Sequence, residues 1–186
     1  MDGTLHFEDG RIYLIYSHSF EDPPDADMCI QELSENLWET ISSPEVLFIA
    51  KEAPWARPVP FAEAESGMKG DVYFADGSCV FSMPDDRLYM TWSSWSKGSY
   101  AVGAAVSESG SVKGPWKQQA EPVWSENGGH GMVFQNDFGV RFFIFHYPND
   151  KTKERPCIKK LTLDNGILKL SKEKCGYEFR NQCLYK

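Results

Sequence analysis

Three stretches of the sequence repeat the same order of features: a small-residue opening, an apolar strand, a turn with Asp or Gly, and a second, aromatic-rich strand. They span residues 2–17, 76–92 and 130–146. With Tyr13, Tyr89 and Phe143 taken as equivalent, the copies are 76 and 54 residues apart. Self-similarity at such a long period is typical of folds in which each repeat is one supersecondary unit. The repeat therefore constrains the fold more than any single motif does.

Each copy is followed by two more strand candidates. Third strands are predicted at 28–33, 100–106 and 157–161, and fourth strands at 46–49, 122–124 and 167–170. Four short antiparallel strands in a regularly repeated unit are typical of propeller blades. We therefore predict an all-β fold, a partial β-propeller of three four-stranded antiparallel blades. The alternative is another all-β domain whose hairpins merely look alike.

The chain is expected to form a single domain, because 186 residues can bury one sizeable core. The blade-like units are placed at about 1–50, 71–125 and 128–172. The segment 50–70 is predicted to be a loop, since its prolines cannot donate to a sheet ladder. Its Trp55 either covers one end of a pocket or packs against a blade edge. The aromatic residues in 174–186 suggest a docked tail or a final strand.

The charge of the chain argues against two classes of partner. The formal net charge is −8 and the pI is about 5.0, whereas nucleic acid and anionic membranes attract clustered Lys and Arg. No segment approaches the roughly 20 apolar residues that span a bilayer, and the N-terminus lacks the features of a signal peptide. As written, the sequence predicts a cytoplasmic protein. A missing N-terminal part would make it secreted or periplasmic.

The five cysteines form no close pair, so neither a zinc ribbon nor a CxxC motif is present. Their odd number and the lack of a signal peptide favour free thiols. Cys29, Cys79 and Cys157 fall in strand candidates, where a cysteine is usually a small buried hydrophobe.

Polar residues stand where the first strand of each unit begins. Asp2 precedes Gly3, Asp76 precedes Gly77, and His130 lies between two glycines. In a propeller the innermost strand of each blade lines the axial channel, so these residues are candidates for chemistry. A neighbouring glycine allows backbone or ligand to approach closely. The alternative is that these pairs only form turns between blades.

A set of motifs in this order resembles the C-terminal three blades of glycoside hydrolase family 43, the five-bladed propellers that include arabinofuranosidases, arabinanases and β-xylosidases. The resemblance spans residues 2 to about 150. The motifs are Asp2-Gly-Thr, Glu8-Asp-Gly-Arg-Ile-Tyr-Leu-Ile-Tyr-Ser-His18, Ala53-Pro-Trp55, Ala75-Asp-Gly77, Trp92-Ser-Ser94, Gly98-Ser-Tyr-Ala-Val-Gly103, Ser107-Glu-Ser-Gly110, Gly114-Pro-Trp116 and Gly128-Gly-His-Gly-Met132.

The resemblance implies roles for the three polar residues. Asp2 matches the aspartate that modulates the pKa of the general acid, and Asp76 falls where many members carry that acid in a Glu-Gly pair. His130 matches a histidine often found beside a central calcium ion. An inverting glycosidase also needs a general base that activates water. The family's base lies on the first blade, and no residue of this chain matches it.

Two departures bear on activity. Asp76 is one methylene shorter than the usual glutamate, and Ser19 stands where close relatives carry a glutamate after the second strand. A serine hydroxyl is a poor general acid at neutral pH. Glu21 lies two residues on and is a weak candidate to compensate, since residues two apart in a strand share a face.

The resemblance leaves several interpretations open. Candidate substrate-binding residues are Trp55, Trp92, Trp95, Tyr100 and His18, although aromatic residues at strand spacing are more often core. The chain is either a hydrolase of arabinofuranosyl or xylosyl linkages, with carbohydrate as partner, or a catalytically inactive carbohydrate-binding remnant. A structural propeller of another kind would leave the motif order unexplained. Three blades do not close a ring, so we expect homo-oligomerisation or missing N-terminal blades to cover the open faces.

Overall fold

A computed structural model describes residues 2–18 and 24–172 of the chain. These residues form three four-stranded antiparallel sheets, and each sheet keeps its strands in sequence order. The prediction of an all-β partial propeller with three four-stranded blades is thereby confirmed. Glu21, Cys175, Cys183 and the predicted tail lie outside the described residues.

The first sheet follows the predicted strand order. Its strands are β1 (Gly3–Glu8), β2 (Arg11–His18), β3 (Asp27–Leu33) and β4 (Glu45–Ile49). A two-residue turn joins β1 to β2, where Asp9 and Gly10 have φ values of 50° and 75°. Two consecutive positive φ values define the turn that best matches the twist of a hairpin.

The second sheet corrects one predicted strand. Its strands are β5 (Asp76–Ser82), β6 (Leu88–Trp95), β7 (Tyr100–Ser107) and β8 (Trp116–Gln118). The prediction of a fourth strand at 122–124 is wrong, because Trp116 pairs with Ser107 and takes the edge position first. Pro122 has no N–H for a ladder, and Trp124 forms only an isolated bridge with Val102.

The third sheet contains β9 (Gly129–Gln135), β10 (Arg141–Tyr147), β11 (Arg155–Asp164) and β12 (Ile167–Leu170). Strand β11 is longer than predicted, since its pairing with β10 and β12 extends the ladder at both ends.

The segment between the first two sheets is more ordered than a plain loop. It contains a 3-10 turn at Ala50–Glu52 and an α-helix, α1, at Ala62–Ser66. Gly67 ends α1 with a φ of 73°, the left-handed conformation that favours glycine at this position. Trp55 lies between these two elements and packs on the second sheet, where the indole covers Gly103. Of the two interpretations of Trp55, packing against a blade is therefore the one observed.

The core lies between neighbouring sheets. Tyr13, Tyr89 and Phe143 are all buried on the second strand of their sheets, in agreement with their alignment as equivalent positions. One cluster joins the first and second sheets, and others join the second and third. Packing in chain order positions the first strands of the three units next to one another.

Two further observations concern membrane spans and the cysteines. Among the described residues, no helix is long and apolar enough to cross a membrane. Cys29 and Cys79 are free thiols, as predicted. The expectation of a free thiol at Cys157 is wrong, because this buried cysteine is disulfide-bonded.

Candidate active site at the propeller axis

The openings of the three inner strands converge on one cleft. Asp2 directly precedes β1, Asp76 begins β5, and His130 is the second residue of β9. One ligand atom from each of these residues lies within 4.8 Å of the others. The cleft beside them has a volume of about 440 Å³ and includes Asp2 and His130 in its wall. The three residues singled out in the sequence therefore form one cluster.

Asp76 is the buried centre of this cluster. Its Oδ2 atom accepts a hydrogen bond of 2.7 Å from the hydroxyl of Tyr100 and lies 3.1 Å from Nδ1 of His130. Burial alone would raise the pKa of Asp76, but hydrogen bonds from His130, Asp2 and Tyr100 outweigh it and lower the pKa to about 2. The carboxylate is therefore ionised at neutral pH.

Asp2 and His130 respond to this buried charge. A hydrogen bond with Asp76 and, to a smaller extent, burial raise the pKa of Asp2. The hydrogen bond with Asp76 also raises the pKa of His130, against the effect of burial. One ionised carboxylate thus strengthens proton binding at two neighbouring groups, as a nearby negative charge does in general.

Glycines allow the cluster to be this compact. A Cβ atom on Gly77 would lie 2.9 Å from Cα of His130, and Gly77 has a φ of +53°. A Cβ atom on Gly129 would lie 2.5 Å from Cε1 of Tyr100. The glycines beside Asp76 and His130 are therefore required for the close approach of protein groups to one another.

A supporting layer was missed by the sequence analysis. The Oγ atom of Ser93 accepts the backbone N–H of His130 at 2.9 Å. The ring of His146 stacks on Tyr100 at 5.6 Å between centroids. Ser93 and His146 both lie at the cleft end of the second strand of their sheet. This shared position in the repeat was the sequence feature from which both residues could have been identified. Glu154 and Arg155 also line the cleft.

The structure corrects part of the predicted set of substrate-binding aromatic residues. Trp55 and Trp92 are buried in the core, with ring centroids 4.7 Å apart, so neither offers a face to a sugar. Trp95 is partly buried and packs edge-on against Phe61. Tyr100 is buried too, and its hydroxyl is bonded to Asp76.

His18 does not join the cluster. It is exposed at the end of β2, opposite Asp27, and it is not among the described residues that line the cleft.

The spacing of the carboxylates limits what they can do together. Inverting glycosidases hold their acid and base roughly 6.5–9.5 Å apart to leave room for a water. The ligand atoms of Asp2 and Asp76 are within 4.8 Å, which is too close for such a pair. Asp2 and Asp76 therefore do not have the spacing of an inverting acid–base pair.

No protein-family model matches the sequence, and no curated protein matches it. The structural comparison identifies similar solved structures. An endo-arabinase from Bacteroides thetaiotaomicron has a TM-score of 0.78 and 34% identity over 89% of this chain and 57% of its own.

Two further structures share the fold at lower identity. A thermostable family-43 glycoside hydrolase has a TM-score of 0.73 and 22% identity over 96% of this chain and 59% of its own. An α-L-arabinofuranosidase from Lactobacillus brevis has a TM-score of 0.69 and 17% identity over 96% of this chain and 57% of its own. The chain thus spans less than two thirds of each of these proteins.

Proposed function

Because the chain is a partial propeller of glycoside hydrolase family 43, we propose that it binds arabinose- or xylose-containing plant oligosaccharides and takes part in inverting hydrolysis of their glycosidic bonds. The observation that carries this proposal is the cluster of Asp2, Asp76 and His130, of which Asp2 and His130 line the axial cleft. It occupies the place where the inner strands open, and sugars bind best where a few polar groups converge in a concave site.

The resemblance assigns the general acid to Asp76 and the modulating carboxylate to Asp2. The directions of their pKa shifts support the opposite division, since the pKa of Asp76 is lowered and that of Asp2 is raised. A general acid must hold a proton at the working pH. We therefore propose Asp2 rather than Asp76 as the candidate that carries the proton toward the leaving oxygen, with the negative charge of Asp76 strengthening proton binding at Asp2.

The second candidate function is carbohydrate binding without catalysis. It is favoured by the 4.8 Å limit on the cluster, which excludes Asp2 and Asp76 as an inverting acid–base pair. Catalysis then depends on a base outside the cluster. Glu21, the weak candidate from the sequence, lies outside the described residues and stays a prediction.

Calcium is proposed as a ligand of the same cluster. Carboxylate oxygens are the ligands that Ca²⁺ prefers, and the Oδ1 atom of Asp76 is buried without a partner among the described atoms. Asp2 and Asp76 would hold the ion, with His130 beside it and water among the remaining ligands. A bound cation would favour the ionised forms of the carboxylates, so the ion and the proton of Asp2 would compete for this cluster.

The partners and the location are also proposals. Carbohydrate is the proposed ligand, with no nucleic acid or membrane partner. The open sheet faces are proposed to be covered by further blades or by a second copy of the chain. Since Cys157 is disulfide-bonded and disulfides persist in oxidising compartments, we favour the secreted or periplasmic alternative over the cytoplasmic one.

Paired assays of binding and turnover test the function. Calorimetry with arabino- and xylo-oligosaccharides measures binding, and nitrophenyl arabinofuranoside and xyloside measure turnover. The matched variants are Asp2→Asn, Asp76→Asn and, as control, Asp164→Asn, an exposed residue paired with Lys169 on the third sheet. We expect the first two variants to weaken binding and abolish any turnover, and the control to change neither.

The outcomes separate the candidate functions. Binding without turnover supports the carbohydrate-binding alternative, and turnover that survives both cluster variants contradicts the proposed roles. If no oligosaccharide binds to the folded wild-type chain, both carbohydrate functions fail for this chain alone.

A further inference from the structure

A second cavity lies between the second and third sheets, away from the axial cleft. Residues of β7 and β8 form one wall, and β12 with the turn before it forms the other. The volume is about 600 Å³, and none of the described lining residues belongs to the axial cleft. Ligand sites usually have volumes of roughly 300–1,000 Å³, so a short oligosaccharide fits. We call this space, with Ala104, Gln119 and Gly166 in its walls, the rim cavity.

The two walls of the rim cavity are joined by one side chain. Oε1 of Gln119 accepts the backbone N–H of Leu168 at 3.0 Å, and Nε2 donates to the carbonyl of Leu168 at 3.3 Å. Strands β8 and β12 are thereby held at a fixed separation. Ala104 and Ala120 line the space with only a methyl group each, which leaves it open.

Basic side chains predominate in the lining, in a chain whose formal net charge is −8. They are Arg87, Lys117 and Lys169, and Glu121 is the one acidic residue among the described lining residues. Three basic residues and one acidic residue give the lining a formal charge of +2. Arg87 and Lys169 each form an ion pair with an aspartate outside the lining, whereas Lys117 has no ion pair among the described residues. The rim cavity therefore favours an anionic ligand.

Arg87 is held in position by its neighbours. Its Nε donates to Oδ2 of Asp85 at 2.7 Å, and its Nη2 donates to the hydroxyl of Tyr89 at 2.7 Å. Tyr89 is 2% exposed and itself donates to Asp85 at 2.9 Å. A Cβ atom on Gly166 would lie 2.6 Å from Nη2 of Arg87, so a side chain there would displace the guanidinium. The Nη1 group has no partner among the described residues and is free to donate to a ligand.

The cations Arg87 and Lys117 stand at separate points of one sheet face. Tyr89, Val106 and Lys117 lie opposite one another on β6, β7 and β8. The backbone of Lys117 is therefore two strand spacings, about 10 Å, from that of Tyr89. Arg87 contacts the hydroxyl of Tyr89 at the other end of this row. Such an arrangement suits a ligand with negative charges on successive units better than a single phosphate.

We propose that the rim cavity binds an acidic oligosaccharide, one whose sugar units carry uronate carboxylates. The carboxylates would pair with Lys117 and with Nη1 of Arg87, because hydrogen bonds between charged groups are stronger than neutral ones. The sugar rings would occupy the space that Ala104 and Ala120 leave open. This inference goes beyond the proposed function, on which it rests only in taking carbohydrate as the class of ligand. Nucleic acid fits less well, since the chain as a whole would repel a polyanion.

The test measures binding of trigalacturonate to the folded chain by calorimetry at low salt. The matched probe is the fully methyl-esterified trimer, which has the same rings without the negative charges. We expect the ester to bind at least tenfold more weakly than the acid. Because salt screens exposed charges, binding of the acid should also weaken at least fivefold at about 0.5 M salt.

Variants separate the charge and the shape of the rim cavity from the axial cleft. Lys117→Gln removes the unpaired cation, and Ala120→Trp fills the space without changing the charge. Each should weaken binding of trigalacturonate at least fivefold. Lys153→Gln is the matched charge control, at an exposed residue paired with Asp150 outside the rim cavity, and should leave binding unchanged. Asp2→Asn, in the axial cluster, should also leave it unchanged, and circular dichroism checks that each variant is folded.

Each outcome bears on the inference. Equal binding of acid and ester overturns it, as does binding that survives both Lys117→Gln and Ala120→Trp, or no binding of trigalacturonate to the folded chain. Inorganic phosphate that displaces trigalacturonate with equal affinity would make this a general anion site and also overturns it. If trigalacturonate binds as expected while neutral arabino- and xylo-oligosaccharides do not bind, the inference stands and the proposed function fails.

Discussion

The hydroxyl of Tyr100 donates a 2.7 Å hydrogen bond to Oδ2 of Asp76, and both residues are buried. This bond connects β7, the third strand of the middle sheet, to the buried carboxylate beside the cleft. It is one of the interactions that keep the pKa of Asp76 near 2 in spite of its burial, which acts in the opposite direction. Tyr100, a sugar-stacking candidate in the sequence, is in the structure a residue that positions and stabilises the Asp76 carboxylate.

Removing this hydroxyl should destabilise the chain. Hydrogen bonds to charged groups contribute roughly 1.5–3 kcal/mol, so we expect Tyr100→Phe to lower the free energy of unfolding by about that amount at pH 7. Urea denaturation measures the change. The control is Tyr16→Phe, because Tyr16 donates to the neutral side chain of Gln31 at 3.1 Å and should cost about 0.5–1.5 kcal/mol. Equal losses in the two variants would contradict the special role of Tyr100.

Gly77 should tolerate no side chain. Its φ is +53°, and a Cβ atom would lie 2.9 Å from the backbone of His130. Gly10 has a φ of +75°, but a Cβ atom there would have nothing within 4 Å. Gly10→Ala should therefore cost about 1–2 kcal/mol for the left-handed backbone alone, and Gly77→Ala distinctly more. Thermal denaturation measures the difference, which should be accompanied by a shifted His130 imidazole signal in NMR spectra of Gly77→Ala only.

The bond between His130 and Asp76 should make stability depend on pH in a defined window. The pKa of His130 is raised by its hydrogen bond with Asp76, so its contribution is fully present below the ordinary value of 6.5 and is lost as pH rises through the folded value. The pKa of Asp76 is lowered to about 2, so its contribution is present above 3.8 and is lost as pH falls toward 2. The contribution of the pair is therefore largest between these ordinary values.

The comparison is between wild type and His130→Gln, unfolded in urea with a chelator present to keep cations off the carboxylates. We expect the difference in free energy of unfolding to peak between pH 4 and 6.5 and to shrink at pH 8 and at pH 2. His146→Gln, which removes an imidazole outside the Asp76 cluster, should not reproduce this profile. A difference that is constant across the range would mean that His130 contributes only through packing.

Much of the architecture could be predicted from the sequence because strand period and turn residues are local signals. Tyr13, Tyr89 and Phe143 are equivalent positions of the repeat, and all three are buried on second strands. Asp2, Asp76 and His130 were singled out by their place at strand openings, and they form one cluster. Positions at equivalent points of a repeat are brought together by the repeat itself. This is why three residues far apart in sequence could be expected in one cluster.

Other features depend on which of two segments pairs or packs at the same place in the fold. Local sequence patterns do not show this. The sequence around 122–124 has the apolar character of a strand, but Trp116 pairs with Ser107 before the chain reaches it. Trp55 and Trp92 have the character of sugar platforms, but their burial follows from the packing of a loop on the second sheet. The opposite directions of the pKa shifts of Asp2 and Asp76 could not be predicted either, since they depend on which carboxylate Tyr100 and His130 reach.

Two methionines on different faces should differ sharply in what they contribute. Met90 is fully buried between the first and second sheets, and Met132 is 58% exposed on the face of the third sheet that points away from the second. Met90→Ala removes a packed side chain and should lower the free energy of unfolding by about 2–5 kcal/mol. Met132→Ala should change it by less than about 0.5 kcal/mol, as surface substitutions usually do. Urea denaturation of the chain alone measures both values, and a large loss at Met132 would mean that this face of the third sheet is already covered in solution.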